Sequence, residues 1–328
     1  MNSTITAWGN ETTTTTANGS AEARPCDKHT PTMHLLIIVV SLVGLAGNAV
    51  VLWLLGFRMR RSAFSVYILH LAAADFLYLC FRIIHSLRKF IGFFRHASVS
   101  LPGIFNAIII FPYIMGLSIL TTISIERCLS VLCPIWYRCH RPNHLSTVMC
   151  ALLWALSLLL SVLEGNQCGF LFGNYDNDWC QIVDFIAAGW LIFLCMVLCG
   201  SNLALLVKIF CRSRRMLLTR LYVTILLTVL VFLLCGLPIG LFWFLLSWIE
   251  NDFYPFSCHL YRVASVVNSV NSCANPIIYF FVGSFRQRRG KTLKLVLQRA
   301  LQDSPEVDEC EGSLSQNTLE LSVSGRGK

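Results

Sequence analysis

Seven long apolar stretches constrain this chain more than any other feature. A helix needs about 20 apolar residues to cross the hydrocarbon of a bilayer. Stretches of about that length, free or nearly free of charge, run over 33–57, 63–81, 101–125, 145–163, 184–208, 221–249 and 263–282. Only Asp75 interrupts the second. Charged residues make up 13% of the chain, about half the share of a soluble domain and too few to cover a water-facing surface. The pattern predicts an all-α, seven-transmembrane helix bundle. It excludes a soluble enzyme and a disordered protein.

The basic residues orient the bundle. Arg58, Arg60 and Arg61 follow span one, and Arg138 and Arg141 follow span three. Lys208, Arg212, Arg214, Arg215 and Arg220 follow span five; Arg286, Arg288, Arg289 and Lys291 follow span seven. The segment 164–184 carries acids and neither Lys nor Arg. Positive charge stays on the cytoplasmic side, so the N-terminus is expected outside a multi-pass plasma-membrane protein. Arg88, Lys89 and Arg95, expected in the first outer loop, run against this rule but are outnumbered.

Residues 1–31 are polar and Thr-rich, with no apolar core of a cleavable signal; span one would act as an uncleaved signal-anchor. The N-x-[ST] sequons at Asn2, Asn10 and Asn18 all fall here, as glycosylation of an outer segment requires. The bundle is assigned to residues 32–283. Residues 284–301 are basic, with Leu293, Leu297 and Leu301 at helical spacing, and read as an amphipathic helix on the inner leaflet and its lipids. Residues 302–328 read as a disordered cytoplasmic tail.

Enzyme, metal and cofactor chemistry find no footing. The 15 cysteines contain no CxxC, and neither HExxH nor GxSxG occurs. His140 and His144 read as part of a solvated basic loop. No internal repeat supports a transporter. The basic loops fit topology rather than nucleic-acid binding.

Polar groups within the bilayer are costly and each needs a reason. Asn48 lies in span one, Asp75 in span two, and Asn271 and Asn275 in span seven. They could form one hydrogen-bonded network or serve as separate helix–helix contacts. Pro238 and Pro276 should kink spans six and seven. Glu126 and Arg127, at the inner end of span three, could form an electrostatic latch or simply snorkel. Arg82 and His85 are expected to snorkel at the outer end of span two or to shape a cavity wall.

With GN in the first span, LAAAD in the second, ERC closing the third, Trp154 in the fourth and NPIIY in the seventh, the chain resembles rhodopsin-like G protein-coupled receptors. PIWYRCHRP (134–142), 218–238 and NPIIYFFVGSFR (275–286) are similar to the Mas-related receptors, and LLGFRMRR and WALSLLLSVLEG to their X branch. The resemblance implies that Arg127 engages a heterotrimeric G protein of the Gq or Gi class once its tie to Glu126 loosens. It implies that Tyr279 swings inward, and that Asp75, Asn271, Asn275 and Pro276 belong to the activation network. Cys128 stands where the family usually has Tyr. Gly116 stands where a hydroxyl often binds sodium, and Gly236 replaces the usual Trp before Leu237-Pro238. Asp75, Asn271 and Asn275 match the sodium-binding network of many such receptors, a match these two departures weaken, and without the Trp the usual aromatic switch cannot operate.

Span three has no outer cysteine, since none occurs between Cys80 and Cys128. The resemblance implies instead that Cys168 pairs with Cys180. Cys26 and Cys258, the remaining outer cysteines, are expected to pair with each other. Glu164 ends span four and Asp184 begins span five, so both should face one outer mouth, with Asp176 and Asp178 on the loop between. The resemblance implies that Glu164 and Asp184 bind the basic groups of cationic peptides or amines. Phe170, Trp243, Phe244 and Trp248 would supply aromatic walls, or belong to the interfacial belt. Helix-end solvation is the plain alternative for the acids, and a neutral or lipid ligand is the rival within receptors. Tail residues Ser304, Ser313, Ser315 and Thr318 are candidate phosphorylation sites for arrestin. Sensory neurons or mast cells, itch and nociception are the settings the resemblance implies.

Overall fold

A computed structural model describes residues 30–59, 63–95, 104–142, 144–167, 177–211, 220–241 and 254–284. The helices follow the apolar stretches because hydrocarbon offers backbone amides no partner outside their own helix. They are α1 (Thr30–Trp53), α2 (Ala63–Arg95), α3 (Ile104–Leu132), the short α4 (Pro134–Cys139), α5 (Leu145–Gln167), α6 (Asn177–Cys211), α7 (Arg220–Val231), α8 (Leu237–Leu241) and α9 (Tyr254–Ser284). A π turn, Leu54–Arg58, extends α1, and another, Phe232–Gly236, joins α7 to α8 into the sixth span. The described residues thus give the expected all-α bundle of seven spans. The amphipathic segment after the seventh lies outside them.

α1 packs on α2 and α9, α2 on α3, α3 on α5 and α6, and α9 on α7. The centre belongs to α3, whose apolar window is 72% buried against 28% for those of α1 and α5. Leu42, Leu159, Phe193 and Met196 are among the large apolar side chains left on the outside, as a lipid-facing surface requires.

The helices overrun the charge-free stretches. α2 continues past Phe81 to Arg95, so Arg88, Lys89 and Arg95 sit on helix and not in an outer loop. Long basic side chains reach water from a helix end, so the helix need not stop where the first charge appears. Arg82 does not snorkel: it is 4% exposed. α6 begins at Asn177, which puts Asp178 in its first turn and Asp184 in its second.

Each proline interrupts the backbone hydrogen-bond ladder of its span. Pro276 has no N–H for the carbonyl one turn back, that of Ser272. Asn48 Nδ2 donates to that Ser272 oxygen at 3.0 Å and to the Gly44 carbonyl at 2.9 Å. Pro238 follows the π turn after one residue, Leu237, whose N–H reaches back to Phe232 O, an i→i−5 bond. Pro112 lies inside α3 as well.

α1 and α9 approach closely at Gly44. A Cβ there would meet Cys273 Sγ, and Leu79 Cδ1 at 2.8 Å. Gly189 has nothing within 4 Å of the same position. Gly44→Leu is therefore expected to destabilise the bundle by about 1–3 kcal/mol, as overpacking does. Gly189→Ala should leave the thermal unfolding midpoint of the purified receptor unchanged. Equal midpoints for both variants would refute this packing.

Candidate functional site

Polar groups converge at three depths. At mid-membrane, Asn275 Nδ2 donates to Asp75 Oδ2 at 2.6 Å, and Asn268 Nδ2 to the Tyr78 hydroxyl at 2.6 Å. Asp75, Asn268, Asn271, Ser272, Asn275 and Gly116 line one cavity of about 20 Å³, room for a single water. The Oδ1 atoms of Asn268, Asn271 and Asn275 lack hydrogen-bond partners, and such a water could donate to two of them. Gly116 contributes no oxygen, and the described residues hold no cluster of three or more His, Cys, Asp or Glu side chains. The hydroxyls on this cavity belong to Ser272, Tyr78 and Tyr113 instead.

Gly236 lies one turn beyond Phe232, the sixth-span residue that lines the same cavity. A Cβ on it would meet the Phe232 ring at 2.6 Å and Asn271 Nδ2 at 3.1 Å, so no tryptophan fits. Phe232, 2% exposed, occupies that space. Tyr113 donates its hydroxyl to the Gly236 carbonyl at 3.2 Å, tying α3 to the π turn. Sequence reasoning missed both aromatics, because neither belongs to a named motif.

At the cytoplasmic end, Glu126 gathers three side chains. Tyr67 of α2 donates to Oε1 at 3.2 Å, and Tyr137 of α4 to Oε2 at 2.7 Å. Arg141 is bidentate, with Nε on Oε2 at 3.0 Å and Nη2 on Oε1 at 3.3 Å, and Nη2 also donates to Ser146 Oγ at 2.6 Å. Burial opposes the Arg141 charge, but Glu126 outweighs it and holds the guanidinium above its usual range. Burial and the Glu126 carboxylate push the Tyr137 phenol up to about 12, so it remains a donor at neutral pH. Arg127 lies over the Phe64 ring, 4.3 Å from its centroid. Tyr279 is 1% exposed, its hydroxyl lacks a partner, and it borders a cavity of about 10 Å³ with Phe64, Ile123 and Val229.

Trp154 joins α5 to α2, its Nε1 donating to His70 Nδ1 at 3.1 Å.

At the outer end, Glu164 is 1% and Asp184 7% exposed, on α5 and α6, which pack together. Neither is a solvated helix terminus. Cys180 is disulfide-bonded. Phe170, Trp243, Phe244, Trp248, Cys168, Cys26, Asn2, Asn10 and Asn18 lie outside the described residues. The backbone at Cys258 falls in α9, but its side chain is not described.

The family model described as "7 transmembrane receptor (rhodopsin family)" matches residues 47–279. The chain is 60% identical over 327 residues to the Mas-related G-protein coupled receptor member X2 of Homo sapiens, covering 99% of each protein. It is 59% identical, with the same coverage, to the proteins of that name from Rhinopithecus bieti and Macaca mulatta. Such relatives are receptors, not enzymes, and the apolar helices mark a multi-pass plasma-membrane protein. The chain belongs to the rhodopsin-like receptors and, among them, to the Mas-related G protein-coupled receptors.

Proposed function

We propose that the chain is a receptor for cationic peptides and basic amphiphiles, coupling to Gq- and Gi-class G proteins from a bundle whose N-terminus is extracellular. The observation that carries the ligand class is the burial of Glu164 and Asp184 on two packed outer helix ends. A carboxylate held away from water interacts strongly with a cation that reaches it. Their burial means that the cation enters the outer end of the bundle and does not rest on its surface. Phe170, Trp243 and Trp248 would wall that entry. Cys168 is the proposed partner of Cys180, and Cys26 of Cys258. Glycans on Asn2, Asn10 and Asn18, and arrestin at the tail, complete the proposed assembly.

Coupling is proposed to turn on Glu126. Its three donors come from α2, α4 and the segment after α4, so they hold those elements to α3. Releasing them would free Arg127 for a G protein. The partnerless Tyr279 hydroxyl beside a small apolar cavity favours a rearranged state in which it finds an acceptor.

Intracellular calcium in cells expressing the receptor, dosed with basic and neutral peptides, tests the ligand class. Basic peptides are expected to act, and Glu164→Ala/Asp184→Ala to weaken them at least about tenfold, since losing a buried charge pair costs roughly 2–5 kcal/mol. Unchanged potency at normal surface expression would refute the assignment. Agonist-free inositol phosphate accumulation tests the clamp. Tyr137→Phe removes one charge-assisted bond, worth about 1.5–3 kcal/mol, and should raise basal signalling several-fold while maximal response is kept. Basal signalling at the wild-type level in both Tyr137→Phe and Arg141→Gln would contradict the clamp.

A further inference from the structure

We propose that the outer ends of α1, α2 and α9 form a binding site for a single anionic group, a carboxylate or phosphate, held by Arg82 with Ser86, His85 and His34. The inference does not depend on the cationic-ligand reading. It concerns other helices and the opposite charge.

Arg82 is 4% exposed and its Nε has no hydrogen-bond partner. A guanidinium carries five N–H donors and does not deprotonate, so burial without a counter-charge costs several kcal/mol. Ser86 lies one turn further out on the same face of α2, fully buried, its Oγ also without a partner. His85 and His34 bring imidazoles from α2 and α1 to within 6.3 Å of each other, and neither Nδ1 is hydrogen-bonded. On α9, Ser265 is buried and its hydroxyl is likewise unsatisfied, one turn inward from Arg262. Buried donors left unpaired on three converging helices are rare in a native fold.

Among the described residues, the charges acting there have one sign. Arg82, Arg262 and Lys89 act on His34, while Arg82, Lys89 and Arg88 act on His85, and no carboxylate appears among them. The nearest acid on the same helix, Asp75, lies two turns inward, about 10 Å along the axis. It already accepts Asn275 Nδ2. An anion at Arg82 would take a paired guanidinium contact, the Ser86 hydroxyl and an imidazole N–H, and would offset the mutual repulsion of the cations. A carboxylate on a soluble ligand and the phosphate of a lipid headgroup share this chemistry.

Thermal unfolding of the purified full-length receptor distinguishes the sources. In detergent, acetate or inorganic phosphate is titrated against chloride at fixed ionic strength. In nanodiscs, phosphatidylglycerol is compared with phosphatidylcholine. Wild type should show a saturable rise in midpoint with acetate or phosphate for a soluble ligand. A rise only with phosphatidylglycerol identifies a headgroup. Arg82→Gln should abolish the rise while matching or exceeding the wild-type midpoint without added anion, because the uncompensated charge is gone. Ser86→Ala keeps the charge and removes one donor, so it should weaken the apparent affinity about fivefold. It serves as the readout should Arg82→Gln fail to fold. Identical responses of wild type and variants to every anion and both lipids would overturn the proposal.

Discussion

The bundle depends on one repair to a broken helix. Pro276 leaves the Ser272 carbonyl without its usual donor inside a bilayer, where no water substitutes. Asn48 supplies that donor from α1. The contact is possible because Gly44 lets α1 approach α9 to within van der Waals reach of Cys273. Once α9 is fixed against α1, its polar face is aligned with α2, and the pairs Asn275–Asp75 and Asn268–Tyr78 follow. The same alignment carries Arg82 and His85 to the outer end of that interface, facing His34. One satisfied carbonyl thus sets the register of the mid-membrane network and of the cationic cluster above it.

The two ends of the molecule are built on different electrostatic plans. The inner end is a closed arrangement: a single carboxylate, Glu126, meets two phenols and a bidentate arginine. The outer end carries buried acids on α5 and α6 and a buried cation, Arg82, on α2. Between them, the π turn before Pro238 stands where a tryptophan would sit in many relatives of this class. Phe232 and Tyr113 fill and tie that region.

Much of this was legible in the sequence. Seven apolar stretches gave the spans, and the ordered motifs pointed to the family that the comparisons establish. Asp75 and the asparagines were read either as one network or as separate contacts; Asn275 donates to Asp75, while Asn48 bonds backbone carbonyls of α1 and α9. Reading span limits from the first charged residue failed, because amphipathic side chains let α2 run to Arg95 and α6 begin at Asn177. Arg82 was read as snorkelling or shaping a cavity wall at the outer end of span two, and it is buried between helices there. The Glu126 partners escaped notice because Tyr67, Tyr137 and Arg141 are brought together only by packing of α2, α3 and α4. A π turn has no periodicity of its own, so only Pro238 hinted at it.

The most direct test of a receptor of this kind is guanine-nucleotide exchange on a purified Gq-class heterotrimer, catalysed by the purified receptor in nanodiscs with a polybasic peptide. The predicted result is peptide-dependent acceleration over the peptide-free receptor, lost in Arg127→Ala. Exchange that stays at the intrinsic rate of the G protein, for Gq- and Gi-class heterotrimers alike and with properly folded receptor, would contradict it.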